Sequence, residues 1–206
     1  MLTLSRLSED LILYSMPEFG YFILPPELCT GSSIMPQKYN PDVLELIRAK
    51  TATVLGQGAA ACGIVKGLSG GYNRDLQETK ALYLDGLRTT RASLRILQLL
   101  ASSLQVCPTR LRAGFTPGVF ATDRALQLVA GGMPFRDAYQ HVRSHLDELE
   151  TMVPDAALAA KTGARGTANV DVAPLRQRVS EVQRRTRQRQ RATHRAFARL
   201  LGAPRS

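Results

Sequence analysis

The chain has 206 residues, room for one or two domains, and its 44% apolar but only 6% aromatic composition, without tryptophan, points to Leu/Ala/Val-packed helices and away from an aromatic-rich sheet. No stretch approaches the ~20 apolar residues of a membrane helix, and Glu9 and Asp10 interrupt the run a signal peptide would need, so no export or membrane insertion is expected. The formal charge of +10 is local: residues 1–173 hold 17 basic and 16 acidic side chains, whereas 174–206 hold ten arginines against Glu181 alone.

Cys29, Cys62 and Cys107 are odd in number and far apart, which suggests reduced, mostly buried thiols in a cytoplasmic protein. The first element is a helix over residues 2–16, with Leu4, Leu7 and Leu11 on one face; it begins abruptly, as if inside a structural element. Pro17, Gly20 and Pro25-Pro26 then make 17–41 a long connection, and connections of that length usually carry function or are disordered. Helical spacing resumes at Pro41-Asp42 and runs to Lys66, with apolar or small residues at 44, 47, 51, 54, 55, 58, 59, 62 and 65. The segment "GLSGG" punctuates. A second long helix is expected over about 75–105, with Leu84, Leu87, Leu94, Leu97, Ala101 and Leu104 on one stripe. Both exceed the mean helix of ~11–12 residues and suit an extended bundle.

Pro108 marks a boundary. Beyond it we expect shorter helices at 119–130 and 134–151, the latter with Pro134 in its first turn, a loop at 161–170 and a final helix at 174–201. No convincing strand is read. The expectation is an all-α chain, with part of a long-helix bundle over residues 1–107 and a small helical domain over 108–206 that ends in an Arg-rich helix or tail.

The polar chemistry concentrates in the connection "TGSSIMPQKYNP", residues 30–41. Gly31-Ser32-Ser33 can turn several N–H groups toward an anion, Lys38 adds charge, and Asn40 can donate or accept. Such a loop suits a substrate carboxylate that gains charge during reaction, although a plain Gly-Ser turn with a solvated lysine has the same composition.

The stretch "GSSIMPQKYNP" resembles the signature loop of the fumarase/aspartase superfamily, GSSxMPxKxNP, at all eight specified positions. "SEDLILYS", "GGYNRDLQETK", "ATDRALQLVAGGMPFRDAY" and "GTANVDV" resemble its argininosuccinate lyase branch. The likeness runs nearly end to end but covers only the C-terminal part of a family member. It implies that Ser32 is the base taking a proton beside a carboxylate, with Ser33 next to it. It also implies that Lys38 and Asn40 hold that carboxylate as it becomes a dianion, and that Glu45 orients a catalytic histidine. Tyr72, Gln77 and Lys80 would contact the substrate's polar groups, with Arg74 in the same segment. The implied chemistry is reversible β-elimination of argininosuccinate to arginine and fumarate, as in arginine biosynthesis, with no metal or organic cofactor. The implied assembly is a homotetramer in which three subunits build each site.

The family's catalytic histidine lies in an N-terminal region, and His141, His145 and His194 stand in no matching context, so Glu45 is expected to find its partner on another polypeptide. Tyr39 replaces a more usual basic residue and Ser69 a common proline. His141 and His145 are spaced for a metal, but no HExxH glutamate or third ligand accompanies them. The rival readings are a non-catalytic remnant that keeps the bundle for assembly, a lyase for another succinyl-amine, and a basic nucleic-acid-binding module. In the tail, Val179 and Val182 read as buried, and no large apolar side chain occurs from Gln183 to Arg191. A helix polar all round is solvated, held by a partner or not formed. The solvated reading is preferred to phosphate binding, because no aromatic residues interleave for base stacking.

Overall fold

The computed structural model describes residues 1–31, 33–35, 38–149, 154–159 and 171–201. These form two compact units, Met1–Val119 and Phe120–Ser206. The division falls later than the Cys107/Pro108 boundary expected from sequence. Packing at residues 105–114 explains the shift: Gln105–Val106 pairs with Phe22–Ile23, and the Cys107 N–H donates to the Tyr21 carbonyl at 2.9 Å. Gly114 lies so close to Tyr21 that an added Cβ would fall 2.5 Å from its hydroxyl. Pro108 starts a helix there, but the chain has not yet left the first unit.

The first unit is built on three helices, α1 (Leu2–Ser15), α2 (Asp42–Val65) and α3 (Glu78–Ser103). α1 runs antiparallel to α2, since Glu9 forms an ion pair with Arg48 and the Met1 carbonyl accepts from Thr51 Oγ1 at 3.5 Å. α3 returns antiparallel to α2: Val43, Ile47 and Lys50 share one groove with Ile96, Ser93 and Thr89, while Val54, Gln57 and Ala61 share another with Thr90, Gly86 and Leu82. Gly86 permits the close approach; a Cβ there would meet Gln57 Oε1 at 3.2 Å and Val54 Cγ1 at 3.7 Å. Between the two helices, Gly67 and Gly71 take φ of +78° and +97°, values that suit glycine and turn the chain.

Leu11, Leu44, Ile47, Leu97 and Leu100 form the core. Each fully buried leucine contributes about 1.5–3 kcal/mol. All five lie where α1 covers the beginning of α2 and the end of α3. The far half of the α2–α3 hairpin has no third helix within this unit, and there Leu55, Val65, Tyr83, Leu84 and Leu87 are exposed. The leucine stripe read from the α3 sequence therefore lies largely on the surface, while the strip facing α2 is Gly86, Ser93, Leu97 and Leu100.

Two short antiparallel ladders, absent from the sequence reading, close the end of the unit where the core lies. β1 (Phe22–Ile23) pairs with β4 (Gln105–Val106), and β2 (Thr30–Gly31) with β3 (Tyr39–Asn40). Tyr14 anchors the first, with its ring centroid 5.7 Å from Tyr21 and 6.2 Å from Phe22. A short helix, α4 (Pro108–Ala113), follows.

In the second unit α5 (Ala121–Ala130) and α6 (Phe135–Ser144) pack through Ala125, Ala138 and Val142. Gly132, φ +98°, makes the turn between them. The helix expected to reach residue 151 ends instead at Ser144. There Ser144 Oγ contacts the Gln140 carbonyl at 2.9 Å and His141 O at 3.0 Å, competition that weakens helix continuation, and His145 leaves the helical region. α7 (Pro154–Ala159) and α8 (Ala173–Leu200) complete the described elements. Val179 and Val182 of α8 are exposed, contrary to the sequence reading, because no described residue of α8 is buried. The thiols also differ from expectation: Cys62 is exposed, and Cys29 and Cys107 are half-buried, because the turns holding the latter two are only partly covered.

Candidate active site

The signature loop is the connection of a β-hairpin. Thr30 pairs with Asn40 and Gly31 with Tyr39, so the ends of the loop are held one strand spacing apart, directly against the first turn of α2. Thr30 Oγ1 donates to Asp42 Oδ2, which ties the hairpin stem to that helix. Ser32, the base implied by resemblance, lies outside the described residues, as do Pro36 and Gln37. Ser33 and Lys38 are exposed and Asn40 is half-buried. The Lys38 N–H donates to the Met35 carbonyl at 3.0 Å, folding the chain back on itself just before β3. Glu45 follows on the first turn of α2, on its exposed side. An ammonium, an amide and a carboxylate thus share one end of the hairpin, reachable by a small anion.

Burial acts on one titratable group nearby. The Cys29 thiol is pushed above its ordinary pKa by desolvation first, then by the negative charges of Asp42 and Glu27. Neither this nor the Thr30–Asp42 bond was legible from sequence, because the first depends on burial and the second on the hairpin register.

The second set lies elsewhere. Tyr72 is exposed, Arg74 to Gln77 form a 3-10 turn, and Lys80 Nζ donates to Gln77 Oε1 at 2.5 Å in the first turn of α3. Because α3 is antiparallel to α2, this set sits beside the C-terminal end of α2. At 1.5 Å per residue, the 24 residues of α2 span about 36 Å. One chain therefore gathers Ser33, Lys38, Asn40 and Glu45 at one end of the hairpin, and Tyr72, Arg74, Gln77 and Lys80 at the other. It does not bring the two sets together. His141 and His145 stack at 4.6 Å in the second unit, and among the described residues no group of three or more His, Cys, Asp or Glu side chains could hold a metal. Among the described residues no helix is long and apolar enough to cross a membrane.

Comparison with known proteins agrees with this geometry. A family described as Lyase matches residues 1–56, which include the signature hairpin. The argininosuccinate lyase of Xylella fastidiosa (strain 9a5c) is 42% identical over 180 residues, 86% of this chain and 40% of that protein. The argininosuccinate lyase of Thermus thermophilus is 50% identical over 143 residues, 69% of this chain and 31% of that protein. That of Schizosaccharomyces pombe is 48% identical over 139 residues, 68% of this chain and 30% of its own length. The chain thus spans less than half the length of these relatives. Among solved structures, a fumarate lyase:delta crystallin from Brucella melitensis bound to cobalt superposes with TM-score 0.51 at 23% identity, covering 74% of this chain and 38% of that one. An EDDS lyase in complex with formate gives 0.51 at 22%, covering 78% and 34%.

The long all-α hairpin is therefore the fold of the fumarate lyases. The chain belongs to the fumarase/aspartase superfamily, in its argininosuccinate lyase family.

Proposed function

We propose that this chain supplies part of a composite active site for the β-elimination of argininosuccinate to arginine and fumarate. The observation that carries the reading is the signature hairpin held against α2, with Lys38 and Asn40 at its exit. In the proposed reaction, Ser32 takes the proton from the carbon beside a carboxylate. The electron pair moves onto that carboxylate, whose oxygens then carry two negative charges. Lys38 and Asn40 bind this dianion more tightly than the ground state, so their interaction lowers the barrier. The pair then returns, the C–N bond breaks, and the guanidinium nitrogen leaves with its electrons and gains a proton, giving arginine and fumarate. Glu45 orients the imidazole that assists.

The placement of the two polar sets at opposite ends of a helix about 36 Å long supports an assembly of several chains, because one substrate can touch both only if they come from different copies. The family's remaining length would supply the imidazole and the rest of the pocket. The same reading places the reaction in the cytoplasm and the chain in a tetramer.

The test adds argininosuccinate and follows fumarate by its ultraviolet absorbance. The chain is assayed alone and after co-refolding with the N-terminal segment of a homologous argininosuccinate lyase. Turnover is expected only in the mixture. Turnover by the chain alone overturns the need for groups from an N-terminal segment; a folded, co-eluting mixture without turnover overturns the lyase reading and favours a remnant retained for assembly.

A further inference from the structure

The Arg-rich α8 plays no part in the proposed elimination. It is one uninterrupted helix of 28 residues with no buried position among those described. Leu175, Val179 and Val182 are exposed near its start, and Phe197 and Leu200 near its end. Between them, residues 183–195 hold six arginines, at 184, 185, 187, 189, 191 and 195, with Gln183, Gln188 and Gln190, Thr186 and Thr193, and no acid. The single acid of the helix, Glu181, pairs with Arg185 at 2.6 Å.

Three occupants compete for such a surface. A membrane-surface helix needs a continuous apolar face, and here about 20 Å of helix carries no large apolar side chain. An acidic protein would neutralise the charge, but nothing in the segment fixes one geometry of carboxylates. A duplex has phosphates on two walls, and the arginines match that arrangement. At 100° per residue, Arg187 and Arg191 fall on one flank of the helix, Arg185 and Arg189 on the opposite flank, and Arg184 and Arg195 between them. The major groove of B-form DNA, about 12 Å wide, admits an α-helix, whereas the major groove of A-form RNA is too narrow. Glutamine and threonine are side chains that contact phosphates and base edges. The lack of interleaved aromatic residues weighs against single strands, which bind by stacking, and not against groove binding.

We propose that α8 is a duplex-DNA-binding helix that lies in the major groove through residues 183–195 and contacts both phosphate walls without strict sequence preference. The proposal goes beyond the lyase reading and is independent of it.

The test uses the full chain and a fluorescein-labelled random-sequence duplex DNA, with anisotropy read across salt concentrations. Binding is expected in the micromolar range near physiological salt, with a log–log salt slope of about −5 for six phosphate contacts. The triple variant Arg184→Gln, Arg187→Gln, Arg191→Gln keeps helix-favouring side chains and should make that slope shallower by about 3. Circular dichroism of the variant, matched to the parent, separates lost contacts from lost helix. A variant that loses helix is replaced by the same change at Arg185, Arg189 and Arg195. Absent binding, a slope near zero, or a slope unchanged in the folded variant overturns the proposal. So does equal affinity for the single strand, or tighter binding to anionic phospholipid vesicles than to the duplex.

Discussion

The hydroxyl of Thr30 donates to the carboxylate of Asp42, joining the stem of the signature hairpin to the first turn of the long helix that follows it. The bond anchors one end of the loop while leaving Ser33 and Lys38 exposed. Thr30→Val removes the donor and keeps the shape. Because the bond is largely exposed, its net worth is about 0.5–1.5 kcal/mol, so the melting transition should shift only slightly. The loop should nonetheless be cut sooner: limited proteolysis between residues 31 and 39 should run faster than in the parent. Equal cleavage rates would show that the anchor does not restrain the loop.

Lys38→Ala, in the complemented assembly, removes a preorganised donor for the proposed dianion and nothing from the core. Turnover should fall by about 10²–10³, the usual loss for one such donor. The loss should appear in kcat as well as in kcat/KM, because the interaction strengthens only as charge develops. A rise in KM with kcat unchanged would reassign Lys38 to ground-state binding.

The sequence made the helices of the first unit legible because α2 and α3 each carry apolar residues at three-and-four spacing, bounded by Pro41, the "GLSGG" turn and Pro108. It misled about which face is inside. The stripe of Leu84, Leu87 and Leu94 is the stronger signal, yet α3 presents Gly86 and Ser93 to α2, because small residues allow the backbones to approach. Periodicity identifies a face that wants cover and does not say what covers it. The two-residue ladders were illegible, since strands that short carry no alternation. The signature motif located Lys38 and Asn40 but gave no sign of Thr30–Asp42, which only register creates.

Leu100 is 1% exposed and joins α3 to Leu11 of α1 and Leu44 of α2 in one cluster. Leu100→Ala deletes three carbons where two other helices meet, so the cavity cannot close by moving one side chain. Destabilisation of about 2–5 kcal/mol is expected, read by urea denaturation followed by circular dichroism. A change below about 1 kcal/mol would mean that the three helices do not form one cooperative core.

Cys29 supplies a pH-dependent test. Its pKa is raised by desolvation and by the charges of Asp42 and Glu27, so folding favours the neutral thiol. The stabilisation that follows is present below the unfolded thiol's range and is lost as pH rises through the higher folded value. At mildly alkaline pH, less of Cys29 is therefore thiolate than in the unfolded chain, and alkylation by iodoacetamide should be faster at exposed Cys62. Asp42→Asn removes one of the charges, lowers the Cys29 pKa and should speed its alkylation. Mass spectrometry of the modified peptides resolves the two sites, and an unchanged Cys29 rate in Asp42→Asn would strike Asp42 from the causes and leave burial and Glu27.

The composite site requires chains to associate, and the far half of the α2–α3 hairpin is the surface suited to it. Leu84 and Leu87 are 46% and 51% exposed. An apolar strip of this kind is costly in water and marks an interface. At micromolar concentration the parent chain should therefore sediment as an oligomer. Leu84→Glu with Leu87→Glu places charges on the strip without touching the Leu44–Leu100 core, so it should shift the chain toward monomer with its helicity intact. If the parent itself is a stable monomer, the strip is covered in some other way, and a site shared between copies loses its physical basis.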